Sequence, residues 1–201
     1  MKKSLRLAIL MMGLALGFSS RAAVTFTAGT ETVSLGGTVS VPVTVSGFEN
    51  VSGFQFTLSW SAAELSLDAT TPITISSALS SAGTADFNTL TAGRLTFLWD
   101  TGTALTLTDN STIFTMLFLA HGTVGTSTGL SFSDAPTIRG VTFADLTEGT
   151  IANGLMITVN GGVTVVPEPV HLALGCFAGI LSGTAGIRWW LGQRRVSRPR
   201  Q

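Results

Sequence analysis

Apolar and polar residues alternate along much of the chain, and this period of two is typical of strands with one buried face. Residues 38–45 and 53–60 both place an apolar side chain at every second position. Pro42 stands inside the first run and cannot donate a hydrogen bond to a neighbouring strand, so we expect that strand to lie at a sheet edge or to carry a bulge. The run from Ile113 to Leu119 is apolar at nearly every position, which predicts a central strand covered on both faces.

Shorter runs extend the same pattern over the rest of residues 23–166. They predict strands at Glu64 to Asp68, Pro72 to Ala78, Arg94 to Trp99, Leu130 to Ser133, Leu155 to Val159 and Val163 to Val166. Glycine-rich turn sequences separate the runs, and no segment of this region has a sustained helical period. Short strands with glycine-rich connections predict one all-β domain, an antiparallel β-sandwich or jelly roll.

The first 22 residues have the composition of a secretory signal peptide. Lys2, Lys3 and Arg6 give a basic start, residues 7–18 are apolar, and small residues precede the end at Ala22. We therefore expect signal peptidase to cleave after Ala22. A permanent amino-terminal anchor is the alternative, and the shortness of the apolar run argues against it.

The carboxyl end carries a second apolar run with different flanks. Residues 170–187 contain no charged side chain and would span about 27 Å as a helix, close to the ~30 Å core of a bilayer. We expect a transmembrane helix over about residues 170–191, because the indoles of Trp189 and Trp190 suit the headgroup level. The basic end that follows predicts a cytoplasmic carboxyl terminus. Its arginines are Arg188, directly after the uncharged run and before Trp189, and then Arg194, Arg195, Arg198 and Arg200.

With Pro167, Glu168 and Pro169 directly before the apolar run, residues 167–201 resemble a PEP-CTERM sorting signal. The resemblance implies that these three residues are recognised by an exosortase-like membrane processing enzyme, in a Gram-negative bacterium that secretes extracellular polysaccharide. It further implies that the arginines act as a cytoplasmic stop, in a single-pass inner-membrane precursor that later reaches the cell surface or extracellular matrix. A plain single-pass anchor is the alternative.

The region between the two ends, residues 23–166, is acidic. It contains two basic residues, Arg94 and Arg139, against ten acidic ones, a net charge of −8. Nucleic acid is therefore not an expected partner, because phosphate binding requires clustered lysines and arginines. The one cysteine, Cys176, lies in the apolar run near the carboxyl end, so we expect the exported domain to be stabilised by its core and not by a disulfide.

The alternating runs of residues 23–166 also resemble a cohesin domain. The resemblance is carried by residues 36–43, by residues 51–60 with Glu64 and Leu65 after them, and by residues 93–99 and 113–118. It implies a nine-stranded jelly-roll sandwich, related in shape to some carbohydrate-binding modules, in which a flat sheet face recognises dockerin partners. A non-catalytic binding or scaffold module is the function that this resemblance implies.

Candidate catalytic residues are few. His121, at an expected strand end, is the one histidine of residues 23–166, and no second histidine or cysteine is there to complete a metal or nucleophile set. Asp100 and Asp109 bracket residues 101–108, an expected loop. They could form a solvated acidic loop, a weak calcium site or the carboxylate pair of a glycosidase. We expect the solvated loop, and we predict no enzyme activity, no cofactor and no metal.

Trp60 and Trp99 are the candidate ligand contacts. Each continues the apolar phase of its strand, so a place in the core is expected, and either would become a contact residue if it were exposed. A face rich in exposed aromatics would favour a carbohydrate-binding module for extracellular polysaccharide, whereas a flat face of small polar and aliphatic residues would favour a protein partner. A protein-binding module is the leading hypothesis, a carbohydrate-binding module the alternative, and a glycoside hydrolase the least favoured function.

Overall fold

Residues 21–89 and 91–168 are described by a computed structural model. Within them the chain forms one short helix and fourteen strands. The helix is α1 (Ser77–Ala82). The strands are β1 (Val24–Ala28), β2 (Thr30–Ser34), β3 (Thr38–Ser46), β4 (Val51–Ser59), β5 (Leu65–Leu67), β6 (Ile73–Ile75), β7 (Thr84–Asn88), β8 (Arg94–Leu105), β9 (Ser111–Ala120), β10 (Ser127–Ser133), β11 (Gly140–Phe143), β12 (Glu148–Gly149), β13 (Met156–Val159) and β14 (Gly161–Val166).

The strands form two sheets that enclose one core. In the first sheet the order is β13-β1-β3-β9-β5, and β6 also pairs with β9. In the second sheet the order is β12-β11-β4-β10-β14-β2. The other edge of β4 pairs with β8, which in turn pairs with β7. The β-sandwich expected from the alternating pattern is therefore confirmed.

Two extended runs pass from one sheet to the other. β1 and β2 are separated only by Gly29, and β13 and β14 only by Asn160. The crossing points touch, because Gly162 N donates a hydrogen bond to Gly29 O at 3.1 Å. The two runs pair in parallel, β1 with β13 and β2 with β14. The sandwich is therefore not wholly antiparallel. Each of these runs is divided into two strands, which is one reason why the described chain has fourteen strand segments and not the nine that were expected.

Nine phenylalanines lie in the core between the sheets. Phe56 of β4 is fully buried, and its ring centroid lies 5.5 Å from that of Phe26 in β1 and 5.6 Å from that of Phe97 in β8. Phe97 also lies 4.8 Å from Phe114 of β9. Ring contacts at these distances add to the stabilisation that comes from burying apolar area. The inward positions of the alternating runs thus meet across the sandwich.

The strand predicted around Pro42 is present as β3, and of the two alternatives predicted for it, a sheet edge or a bulge, the structure has the second. β3 lies between β1 and β9, and the predicted irregularity occurs between Val43 and Thr44, next to the proline. Pro42 O accepts a hydrogen bond from Gly29 N at 2.9 Å. Because the nitrogen and carbonyl of one residue face the same side of an antiparallel strand, the missing donor of Pro42 faces the point where β1 ends.

The prediction that Ile113 to Leu119 is covered on both faces is wrong. These residues belong to β9, which is central in its sheet. From Phe114 onward the side chains alternate, with Met116 and Phe118 buried but Leu117 only partly buried. Leu119 is 38% exposed. The outward side chains Leu117 and Leu119 are aliphatic although no other element within the described residues covers them. Because inward and outward residues are both apolar, the sequence of β9 does not show a period of two.

The run predicted as a strand from Pro72 to Ala78 is divided between two elements. Only Ile73–Ile75 are extended, as β6. The helix α1 then begins at Ser77, where the Ser76 hydroxyl accepts a hydrogen bond from Leu79 N at 3.4 Å and caps it. Six residues are too few to show a helical period, so the sequence pattern does not reveal α1.

No helix within residues 21–89 and 91–168 has the length and apolar character to cross a membrane. The transmembrane helix predicted at residues 170–191 lies outside the described part of the chain. So does most of the predicted signal peptide, of which only Arg21 and Ala22 are described.

Candidate functional site

The second sheet presents an outer face made by β7, β8, β4 and β11. Eleven of its outward positions stand in three rows across the strands, because residues in register on neighbouring strands point the same way. The first row is Asp86, Leu98, Gln55 and Gly140, the second is Thr84, Asp100, Gly53 and Thr142, and the third is Asn88, Thr96 and Thr57. We call the surface formed by these residues the β8 face.

The loop of residues 134–139 lies across β4 on the β8 face. Gln55 Nε2 donates a hydrogen bond to Ile138 O at 3.1 Å. Thr57 Oγ1 donates to Thr137 O at 3.4 Å and accepts from Thr137 N at 3.3 Å, so Thr57 is buried although it points outward. The loop also presents Ile138, which is 65% exposed, near Leu98, which is 43% exposed. These two aliphatic side chains are the main apolar surface of the site.

A recess with a volume of about 450 Å³ opens on the β8 face between these two side chains. Gly53 and Gly140 line it at outward positions, so no side chain fills the space above them. Asp100 and Glu148 also line the recess, and both are exposed. A Cβ atom on Gly53 would stand 3.3 Å from Asp100 Oδ1. A larger residue there would narrow the recess and crowd the carboxylate.

Arg139 lines the same recess, but its charge is already paired. Its guanidinium donates to the two carboxylate oxygens of Asp134 at 2.8 and 2.9 Å, and its Nη1 donates to Thr158 Oγ1 at 2.8 Å. The hydrogen bonds from Arg139 lower the pKa of Asp134 to about 2, and those to Asp134 raise the pKa of Arg139. Asp134 neutralises the charge of Arg139. The carboxylates of Asp100 and Glu148 therefore give the recess a net negative charge.

The chemistry of the β8 face suits contact with another protein. Its exposed residues are hydroxyl, amide, carboxylate and aliphatic side chains. Throughout the described part of the chain every large apolar side chain that is exposed is aliphatic, and no group of three or more metal-ligating side chains occurs there. The face can supply hydrogen bonds and small apolar contacts, but it has no ring on which a sugar could stack.

The two candidate tryptophans do not contribute to the β8 face. Trp99 is fully buried and its Nε1 donates to Leu79 O at 3.2 Å, so its expected place in the core is confirmed. Trp60 is partly buried, donates through Nε1 to Leu65 O at 3.1 Å, and packs edge to face against Phe118. Its remaining surface lines a separate cavity.

Asp100 and Asp109 do not share a loop, so that prediction is wrong. Residues 101–105 continue β8, and Asp100 stands in register with Gly53 and Thr84. Asp109 instead accepts a hydrogen bond from Gly47 N at 2.8 Å, at the turn that follows β3. The two carboxylates have separate surroundings, which supports neither a shared calcium site nor a glycosidase pair.

The other candidate residues lie at the ends of elements or outside the described residues. His121 is exposed directly after β9, as expected, with its Nε2 3.0 Å from Ala62 O. Pro167 and Glu168 follow β14 directly. The candidate residues that lie outside the described part of the chain are Pro169, Arg188, Arg194, Arg195, Arg198 and Arg200.

Arg21, which would leave with the predicted signal peptide, contacts the domain. Its guanidinium donates to both carboxylate oxygens of Asp145 at 3.1 Å, and it lies 4.0 Å from the centre of the Phe143 ring. The hydrogen bonds from Arg21, with others from Thr147, lower the pKa of Asp145 to about 2. Cleavage after Ala22 would remove the Arg21 contacts.

Sequence reasoning did not single out the β8 face, apart from Asp100. A signal for part of it was present, because Thr96, Leu98 and Asp100 occupy the positions between the buried residues of β8. Ile138 carried no such signal. The loop that presents it is held by Gln55 and Thr57, which lie 83 and 80 residues away from their partners in the chain.

Comparison with known proteins gives consistent matches over the same region. The family model of the cohesin domain matches residues 24–165. Cellulose-binding protein A of Clostridium cellulovorans is 30% identical over 153 residues, which is 75% of this chain but only 8% of that protein. The match therefore concerns one segment of a much longer relative.

Two solved structures illustrate the similarity of fold. A non-cellulosomal cohesin from the hyperthermophilic archaeon Archaeoglobus fulgidus has a TM-score of 0.59 at 16% identity, covering 76% of this chain and 97% of that one. The sixth cohesin of scaffoldin B from Acetivibrio cellulolyticus, solved in complex with a mutant dockerin, has a TM-score of 0.57 at 19% identity, covering 72% of this chain and 99% of that one.

Proposed function

The chain belongs to the cohesin family, and on this premise we propose that it is an exported module that binds a protein partner through the β8 face. Cohesins are non-catalytic binding modules, and the chain is not an enzyme. The cohesin of scaffoldin B is bound to a dockerin in its solved structure. A dockerin-like domain is therefore the partner that we expect.

The make-up of the β8 face is the observation that carries this proposal. Leu98 and Ile138 offer exposed apolar contacts within a surface of small polar side chains, which is the composition of a protein interface with a limited apolar centre. The acidic recess between Asp100 and Glu148 suits a lysine or arginine of the partner. Such complementary charges raise the rate of association and select the partner.

The two sheet faces can be compared directly, because each exposes one leucine. Leu98 lies on the β8 face at 43% exposure, and Leu119 lies on the outer face of the first sheet at 38%. We expect Leu98→Arg to weaken binding of the native partner by about tenfold or more, because it places a bulky cation at the centre of the interface. Leu119→Arg should leave binding unchanged.

The experiment uses wild type and both variants as bait in extracts of the producing cells. A protein retained by wild type and by Leu119→Arg, but lost with Leu98→Arg, is then titrated against all three by calorimetry. Equal affinity for Leu98→Arg and wild type, or a loss with Leu119→Arg alone, would place the interface elsewhere.

We also propose that export and sorting place this module outside the cell. The support is the sequence of the two ends, with a signal peptide over residues 1–22 and the Pro167, Glu168, Pro169 motif before a transmembrane helix. In this proposal signal peptidase acts first, and an exosortase-like enzyme then processes a single-pass inner-membrane precursor. The processed domain reaches the cell surface or extracellular matrix.

Sorting depends in this account on Glu168. We expect Glu168→Ala to leave export intact but to block processing, so that a full-length membrane-bound form accumulates in the native host. Glu49→Ala, which removes an exposed carboxylate within the domain, should be processed normally. Mass spectrometry of the mature carboxyl terminus measures the outcome. Loss of the tail in Glu168→Ala, or its permanent retention in wild type, would contradict the sorting proposal.

A further inference from the structure

A second cavity lies apart from the β8 face, where the end of β4 meets β5 and the start of β8. Its volume of about 340 Å³ falls at the lower end of the range of small-molecule sites, roughly 300–1,000 Å³. Its walls include Trp60 after β4, Ser66 of β5, Asp68 and Arg94. We call this space the Trp60 cavity.

The indole of Trp60 is held in a fixed orientation. Its Nε1 donates to Leu65 O at 3.1 Å, and its ring centroid lies 5.0 Å from that of Phe118 in an edge-to-face contact. The backbone is fixed as well, since Trp60 N donates to Gly93 O at 2.9 Å. Gly93 has a φ of +75°, and a Cβ there would stand 2.7 Å from Trp60 O. The cavity thus has an aromatic wall that costs little entropy to order on binding.

Arg94 differs from the other two arginines of the described residues. Arg21 and Arg139 form salt bridges with Asp145 and Asp134, whereas no salt bridge joins Arg94 to any carboxylate within residues 21–89 and 91–168. The guanidinium of Arg94 therefore has donors free to bind a ligand in the Trp60 cavity.

Asp68, which also lines the cavity, supplies the complementary group. Its Oδ1 accepts hydrogen bonds from Thr70 N at 2.8 Å and Thr71 N at 2.9 Å, and these bonds lower the pKa of its carboxyl. The carboxylate is therefore ionised at neutral pH, and its Oδ2 is available to accept a further hydrogen bond. Asp68 and Arg94 both line the cavity and do not pair with each other, so it presents both an acceptor and a set of donors.

We propose that the Trp60 cavity binds a sugar residue of an uncharged polysaccharide. The apolar CH face of a pyranose can pack against the indole of Trp60. Sugar hydroxyl groups donate to the Asp68 carboxylate and accept from the Arg94 guanidinium, and each such charge-assisted hydrogen bond is stronger than a neutral one. The opposite charges of Asp68 and Arg94 balance, so an uncharged ligand suits the cavity better than a uronic acid. A cohesin module with this site would hold a glycan and a protein partner at the same time.

The test follows the indole N–H of Trp60 by NMR. The full chain, labelled with ¹⁵N and held in a detergent without a sugar headgroup, is titrated with cellopentaose, xylopentaose, mannopentaose and, as the charged comparison, pentagalacturonate. We expect at least one of the neutral pentasaccharides to shift the Trp60 signal saturably, and the buried Trp99 signal to stay in place. The charged pentasaccharide should bind more weakly than that neutral one.

Two conservative variants test the polar contacts. Arg94→Gln and Asp68→Asn keep the approximate size of each side chain, and in Asp68→Asn the new amide oxygen can still accept from the backbone of residues 70 and 71. Each should weaken sugar binding by roughly tenfold, as expected for the loss of a hydrogen bond to a charged group. Leu98→Arg, which disrupts the β8 face, should bind the sugar as wild type does. The sugar-binding proposal can therefore be contradicted without contradicting the proposal of a protein partner, and the reverse.

Three results would overturn the proposal. The first is that no neutral pentasaccharide shifts the Trp60 signal. The second is that both conservative variants, shown to be folded by their wild-type circular dichroism spectra, bind the sugar with unchanged affinity. The third is tighter binding of the pentagalacturonate, which would show that Arg94 dominates and that the ligand is an acidic sugar.

Discussion

Arg139 links the two sheets at one side chain. It stands at the end of the 134–139 loop, pairs with Asp134 of the same loop, and donates to Thr158 of β13 in the first sheet. The ion pair therefore fixes the loop that presents Ile138 to the β8 face. Since the Asp134 side chain is 52% exposed, water screens the pair and its contribution to stability is small. Its main effect is on the position of the loop.

Acid should loosen the 134–139 loop over a defined range of pH. The pKa of Asp134 is lowered from 3.8 to about 2 by the hydrogen bonds from Arg139, so folding favours the ionised carboxylate. Its contribution to stability is fully present above pH 3.8 and is lost as the pH falls toward 2. Asp134→Asn should therefore flatten the pH dependence of the unfolding free energy between these values. Urea denaturation at several pH values measures it.

A matched control is available for this pH dependence. Asp86→Asn removes another exposed carboxylate of the second sheet, one that forms no salt bridge among the described residues, and should leave the slope in this window close to that of wild type. An unchanged slope in Asp134→Asn, or an equal change in both variants, would show that the ion pair does not couple to folding.

At the scale of elements, the crossing points at Gly29 and Asn160 hold the sandwich together. Asn160 Oδ1 accepts a hydrogen bond from Phe132 N at 3.0 Å, which ties the second crossing to β10. Gly161 lies so close to the first crossing that a Cβ atom would clash with the carbonyl oxygens of Ala28 and Gly29. Glycine is required here for close approach of two backbones.

Gly161→Ala should therefore destabilise the domain by about 1–3 kcal/mol, as overpacking of a fixed site does. Gly102→Ala is the matched control, because a Cβ on Gly102 meets no atom within 4 Å, and its effect should stay within about 0.5 kcal/mol. Thermal unfolding followed by circular dichroism gives both values. Equal stability of the two variants would mean that the crossing can relax to admit a side chain.

The sequence predicted elements well where one strand has one buried face. β3, β4, β10 and the first half of β8 follow from the period of two, because inward and outward positions differ in polarity. The sequence did not predict strand pairings between residues that are far apart in the chain. The parallel pairing of Val24 with Met156, for example, joins residues from opposite ends of the domain, and no local pattern records it.

The candidate site was less predictable than the fold. The outward residues of the β8 face are ordinary threonine, leucine and aspartate, and they become a site only because four strands and one loop bring them together. The tryptophans were the obvious candidates by residue type. One of them is in the core, and the other lines a cavity away from that face.

At the scale of the whole molecule, the proposed sorting motif follows the sandwich without a spacer. β14 ends at Val166, and Pro167 is the next residue. If residues 170–191 cross the membrane as proposed, the domain stays within a few residues of the bilayer until it is processed. Processing would then free the β8 face for a large partner, which makes sorting the step that permits binding.

The central claim, that the β8 face binds a protein partner, is tested most directly by hydroxyl-radical footprinting of the chain with and without that partner. The method labels exposed aliphatic side chains, and each face of the sandwich offers at least two of them. Leu98 and Ile138 lie on the β8 face, and Leu119 and Ile157 on the first sheet. Our account predicts that the partner protects Leu98 and Ile138 while the labelling of Leu119 and Ile157 stays unchanged. Protection of Leu119 and Ile157, with Leu98 and Ile138 still labelled, would contradict it.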